Sequence, residues 1–126
     1  MRLQYLLVIT LSTLTIASDF VQSCRDLAFA APSMLSASCA GPSGWTVSQL
    51  DLNLCFGIAD DQFVPQESGD AFMECYSAEF GDQGAELLVS CVVGERNTYG
   101  MKAAINEVIS NYNGVLNCFD HDGTII

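Results

Sequence analysis

Apolar and polar residues alternate in two stretches of this chain. Leu35-x-Ala37-x-Cys39 and Leu87-x-Val89-x-Cys91 each place three apolar side chains on one face of an extended strand. Each stretch follows another strand-like segment that opens on a cysteine, Cys24 or Cys75. Phe29 and Phe80 each lie five residues after those cysteines. Turn-rich "AAPS" and "GDQGA" separate the paired segments. The pattern predicts strand, turn, strand, twice over, with a cysteine near each outer end.

The correspondence continues downstream. After Cys39 and after Cys91 a turn leads past an aromatic residue, Trp45 or Tyr99, and these two align as equivalents. "LDLNLC" and "KAAINEVI" predict short helical turns. "IADDQF" (Ile58 to Phe63) and "NYNGVL" (Asn111 to Leu116) supply hairpin turns, and Asn113-Gly114 is the stronger signal. The chain reads as all-β, built from two tandem repeats of about 19–69 and 70–119. The polar stretch Pro65 to Asp70 joins them. Neither repeat alone is long enough to bury a core, so the two are expected to interlock into one domain, 19–122. The C-terminal residues, 120–126, read as a mobile tail.

The first eighteen residues break the pattern. One arginine, Arg2, precedes an apolar run from Leu3 to Ile16, and the small residues Ala17 and Ser18 follow. That is the layout of a secretory signal peptide, with cleavage expected after Ala17 or Ser18. The run is shorter than the roughly 18 apolar residues of a membrane span, and Gln4, Thr10, Ser12, Thr13 and Thr15 interrupt it. No later stretch reads as a span. Six cysteines in 126 residues fit the same oxidising, extracellular destination.

Charge narrows the partners. Fifteen acidic side chains face four basic ones, for a formal net charge of -11, and loss of Arg2 would take it to -12. Arg25, Arg96 and Lys102 cannot form the basic face that nucleic acid requires. Anionic lipid surfaces are disfavoured for the same reason.

The cysteines carry further information. The outer ends of a hairpin come together, so Cys24 can reach Cys39 and Cys75 can reach Cys91. Closing loops of that size is worth roughly 3 kcal/mol in the chain-entropy model. Six cysteines still allow 15 connectivities, and spacing alone leaves them open. Zinc coordination does not fit, because there is no C-x-x-C pair and only one histidine.

The motifs "FVQSC", "LSASC" and "LDLNLC...ADDQF", followed by "LLVSC" and "KAAINEVISNYNGVL", resemble the cyanovirin-N homology family in order and spacing. The resemblance runs from Phe20 to Phe119 and is looser in the second repeat. It implies an ellipsoid of two pseudo-symmetric halves, each joining the triple-stranded part of one repeat to the hairpin of the other. It also implies a mannose-binding lectin without cofactor, metal or catalysis. One sugar site would fall at Gln22, Ser23, Ala40, Gly41, Pro42, Asn111 and Asn113. Gln22, Asn111 and Asn113 have the amide groups that vicinal hydroxyls need, whereas Ala40 and Pro42 replace the family's usual polar side chains. A second, weaker site would use Asp60, Glu74 and Arg96, beside Gly57, Ile58, Val92 and Val93. Three of those four, Ile58, Val92 and Val93, are aliphatic, and "FMEC" is one residue shorter than "FVQSC". Interlocked halves would also bring Cys55 to Cys118 as a third disulfide.

Two other functions compete. An exported interaction or structural protein could keep this scaffold without binding sugar. A hydrolase is poorly supported: His121 sits in the tail, and adjacent Asp60 and Asp61 diverge, whereas glycosidase carboxylates oppose each other. Trp45 and Tyr99 are expected to pack at the shoulders of the core rather than stack on sugar. The chain has no N-x-S/T sequon. A monomer and a domain-swapped homodimer are both compatible with the short joint.

Overall fold

The computed structural model describes residues 19–126. The expected signal peptide lies outside the described residues. Short strands dominate, and the helical segments are single 3-10 turns.

The first repeat starts with a 3-10 turn, Phe20–Gln22, and a three-stranded antiparallel sheet of β1 (Cys24–Ala30), β2 (Met34–Gly41) and β3 (Gly44–Asp51). A 3-10 turn at Leu52–Leu54 leads to the hairpin of β4 (Phe56–Ala59) and β5 (Gln62–Pro65). The second repeat runs the same way. A 3-10 turn, Ala71–Met73, precedes β6 (Cys75–Gly81), β7 (Glu86–Val93) and β8 (Arg96–Ala103). A further turn, Ile105–Glu107, precedes the hairpin of β9 (Ser110–Tyr112) and β10 (Val115–Cys118).

The alternation in the sequence is the alternation of burial. Leu35, Ala37 and Cys39 of β2, and Leu87, Val89 and Cys91 of β7, are buried. They meet Phe20, Leu50, Leu52, Phe56, Ile105, Ile109 and Leu116 in one core. The hairpins are exchanged as expected. β10 packs on β2 and β3 of the first repeat, while β5 packs on β8 of the second. Buried Ser48 of β3 accepts a hydrogen bond from the backbone N–H of Leu116 at 3.0 Å, so the exchange satisfies a polar group that a core would otherwise strand.

Two asparagines carry the interlock in a way the sequence reading missed. Asn106 Oδ1 accepts from the backbone N–H of Val21 at 3.1 Å, and Asn53 Oδ1 accepts from that of Phe72 at 2.7 Å. Each 3-10 turn of one repeat thereby caps the turn that opens the other. The signal was present: Asn53 lies fourteen residues after Cys39, and Asn106 fifteen after Cys91. The extra residue is a bulge in β8.

Disulfides join Cys24 to Cys39, Cys75 to Cys91 and Cys55 to Cys118. The last spans 63 residues and ties the entry of one hairpin to the end of the other. Loop closure on that scale is worth about 4 kcal/mol in the chain-entropy model.

Four expectations are corrected. The tail is not mobile: β11 (His121–Asp122) pairs with β10, and β12 (Thr124–Ile125) pairs with β3. The open edge of β3 offers unpaired backbone groups that the tail satisfies. Gly123 permits this, since a Cβ there would stand 2.6 Å from the carbonyl oxygen of Gln49. The Pro65 to Asp70 joint, read from sequence only as a polar connector, is held by its backbone. Backbone N–H groups of Gln66, Ser68 and Asp70 donate to the carbonyls of Cys55, Leu54 and Asn53 at 2.9–3.0 Å. Nor are Trp45 and Tyr99 equivalent. Trp45 opposes Ala40 as Asn97 opposes Val92, and Tyr99 lies further along, in the bulge. Both rings are exposed rather than packed at the core's shoulders, and the Arg25 guanidinium lies 3.8 Å above the Trp45 ring. Finally, the register before Cys75 matches that before Cys24. A three-residue 3-10 turn and one further residue precede each cysteine, so Met73 corresponds to Gln22 and Glu74 to Ser23.

Candidate functional site

The first end of the molecule brings the main candidate residues together. Asn113 and Gly114 form the β9–β10 turn with φ of 54° and 97°, the left-handed pair that a tight hairpin requires. This turn rests on the β2–β3 turn. A Cβ on Gly41 would lie 2.6 Å from the carbonyl oxygen of Asn113, so only glycine lets the two backbones approach. Pro42 follows Gly41 at the rim.

Asn111 locks the arrangement. Its Nδ2 donates to Ser23 Oγ and to the Ala40 carbonyl, both at 2.9 Å, and its Oδ1 accepts from the backbone N–H of Gly114 at 2.7 Å. Both amide hydrogens are thus used within the protein, leaving Asn111 only acceptor capacity for a ligand. Ser23 is held a second way, because its carbonyl accepts from the N–H of Ala40 at 2.9 Å. Gln22 and Asn113 stay exposed at the border. The result is a shallow, uncharged patch with free amide groups at its edge and a fixed floor.

The second end has the same backbone plan and different side chains. The N–H of Val92 donates to the carbonyl of Glu74 at 2.8 Å, the counterpart of the Ala40–Ser23 bond. Ile58 stands where Asn111 stands in the first end, Asp60 where Asn113 does, and Val93 where Gly41 does. Arg96 forms an exposed ion pair with Asp61, a partner not anticipated from sequence. Asp60 and Asp61 both have positive φ. Asp60, Glu74 and Arg96 are therefore not joined by a common hydrogen-bond network.

His121 Nε2 lies 3.1 Å from Glu67 Oε2, an exposed pair on the docked tail. Among the described residues, no group of three or more His, Cys, Asp or Glu is placed to hold a metal ion. Among the same residues no helix is long and apolar enough to cross a membrane.

Two repeats that exchange hairpins around buried, disulfide-closed strands define the class of fold. The model of the CVNH domain matches residues 20–117, and the chain belongs to the CVNH family. Solved structures agree on the fold. A MoCVNH3 variant in complex with (N-GlcNAc)4 is 16% identical, with a TM-score of 0.69, covering 82% of this chain and 98% of that one. The Gibberella zeae CVNH protein is 21% identical, with a TM-score of 0.64 and coverages of 80% and 97%. Microvirin in complex with mannobiose is 22% identical, with a TM-score of 0.58 and coverages of 77% and 94%. No curated protein matches the chain in sequence.

Proposed function

We propose that this protein is an exported, non-catalytic lectin that takes mannose-type oligosaccharides at the first end, without a metal. Residues 1–18 would be its signal peptide, and its working unit a monomer or a domain-swapped homodimer. The observation that carries the reading is the junction of the two turns. Asn111 spends its donors fixing Ser23 and Ala40, Gly41 admits the hairpin, and the amides of Gln22 and Asn113 remain at the border. A prepositioned neutral surface suits vicinal hydroxyls, whose recognition rests on short hydrogen bonds. Relatives of the same fold are complexed with (N-GlcNAc)4 and with mannobiose, which supports a saccharide as the ligand class.

Calorimetric titration with a short α-linked mannose oligomer tests this. Saturable binding that withstands a chelator and added salt is expected, since neither a cation nor a charge pair takes part. Heat that never saturates, with silence across an oligosaccharide array, would favour the scaffold-only alternative. Ala40 and Pro42 favour that second reading, because they leave one wall of the patch without polar side chains.

A further inference from the structure

The second sheet has a feature that the first lacks. At Ser90, the middle of β7, both neighbouring strands bulge. On β6 the register passes from Cys75 opposite Cys91 to Ser77 opposite Ser90, so Tyr76 and Ser77 together face Ser90. On β8 it passes from Thr98 opposite Cys91 to Met101 opposite Val89, so Tyr99 and Gly100 face Ser90 from the other side. Gly100 has φ of 65°, the left-handed glycine of a bulge, and a Cβ there would meet nothing within 4 Å. In the first repeat, β2 pairs with β3 without a break.

Two opposed bulges widen the outer face and hollow it. A depression of about 250 Å³ lies there, lined by Ser77, Ala78, Glu79, Leu88, Ser90 and Gly100. Tyr76 and Tyr99 stand beside it, 53% and 73% exposed. Both belong to the bulges that face Ser90. The hollow therefore combines the hydroxyls of Ser77 and Ser90, one carboxylate, an apolar wall at Leu88 and flanking aromatic rings. Glu79 is its only charged lining group, so an anion is repelled and a metal ion lacks ligands. A neutral polyol fits every part: ring hydroxyls on Glu79, Ser77 and Ser90, and an apolar C–H face on Leu88 or a tyrosine.

We infer that the double bulge at Ser90 forms a second saccharide-binding site, on the outer face of β6–β7–β8 and apart from the junction of turns. The inference extends the lectin reading to another surface. It gives the second half a sugar contact that Ile58, Val92 and Val93 deny to its turn end.

Amide NMR of the isotope-labelled protein, titrated separately with mannobiose and with (N-GlcNAc)4, separates the two readings. Saturable shifts at Ser77, Ser90 and Gly100 are expected with at least one sugar. Glu79→Gln combined with Tyr99→Ala should weaken them by about tenfold or more, the loss of a charge-assisted hydrogen bond, and leave shifts at Asn113 unchanged. Both positions are exposed, and the remaining amide spectrum reports that the fold is intact. Shifts confined to Gln22, Ser23 and Asn113 would overturn the second site and leave the lectin reading standing. Shifts at the bulge that survive the double variant would overturn the site as assigned. No shift anywhere would overturn both.

Discussion

The two ends of the molecule share a backbone and differ in what holds them together. At the first end a hairpin turn sits directly on a strand turn, because Gly41 has no side chain and Asn111 ties three segments with one amide. At the second end Val93 and Ile58 take those places, and the Arg96–Asp61 pair links the loops across the surface. Met73, 79% exposed, stands where Gln22 stands. Both ends retain the bond from residue 40 or 92 back to residue 23 or 74. The fold thus depends on the shared backbone bonds and the two capping asparagines. The few side chains that differ between the ends can diverge without loss of the architecture.

The comparison is broken most severely by removing what ties the ends to each other. Replacing Cys55 and Cys118 together by alanine should cost roughly 2–5 kcal/mol. Denaturant unfolding of the double variant measures it. A change below about 1 kcal/mol would mean that the exchanged hairpins hold without the covalent tie. Next in size is Gly41→Val, which installs the second end's residue in the first. Its Cβ would face the Asn113 carbonyl, a backbone atom that cannot swing aside. A cost of about 1–3 kcal/mol is expected from the overpacking, with loss of calorimetric sugar binding. Full retention of binding would place the saccharide away from this junction.

These contrasts also show what the sequence made legible. Alternation at Leu35–Cys39 and Leu87–Cys91 reports one-sided burial directly, and turn chemistry at Asp60-Asp61 and Asn113-Gly114 is local. The exchanged hairpins followed from the family resemblance and from the shortness of each repeat. What stayed hidden was set by register or by distant partners. Trp45 lies six residues after Cys39 but Tyr99 eight after Cys91, so matching the two aromatics skipped two residues, and the strand pairing instead puts Asn97 in the place of Trp45. The docking of the tail depends on an open β3 edge that nothing in "DHDGTII" announces. Asn111 read as a ligand contact or a turn former, and its role as a strut stayed hidden because its partners lie 88 and 71 residues away.

Exchanging the struts sharpens the comparison. Asn111→Ile removes hydrogen bonds worth roughly 0.5–1.5 kcal/mol each and leaves the N–H of Gly114 without its acceptor. Thermal unfolding should report that loss, and sugar affinity should fall because Ser23 and Ala40 are released. Unchanged affinity in a folded variant would show that the strut does not order the site. At the other end, Arg96→Ala should shift stability by no more than about 1 kcal/mol, since exposed ion pairs are screened. A larger shift that persists at high salt would mean that the pair contributes to packing.

The smallest effect concerns the outer face of the second sheet. The Tyr76 phenol is held above its usual value of 10.0, first by desolvation, then by the charge and the hydrogen bond of Tyr99, with the Ser90 hydroxyl acting in the opposite sense. A raised value in the folded state means that the fold binds this proton more tightly than the unfolded chain does. Its contribution to stability is therefore complete below the ordinary tyrosine range and is lost as pH rises through the raised value. Because the ring is exposed, the effect on global stability is slight, and the direct readout is better. Tyr99→Phe removes both of the partner's upward influences and keeps the ring, so the ring-carbon NMR titration of Tyr76 should move to lower pH. The Arg25–Trp45 face of the first sheet has no such pair and should be unaffected. An unmoved titration would show that the two hydroxyls do not interact across Ser90.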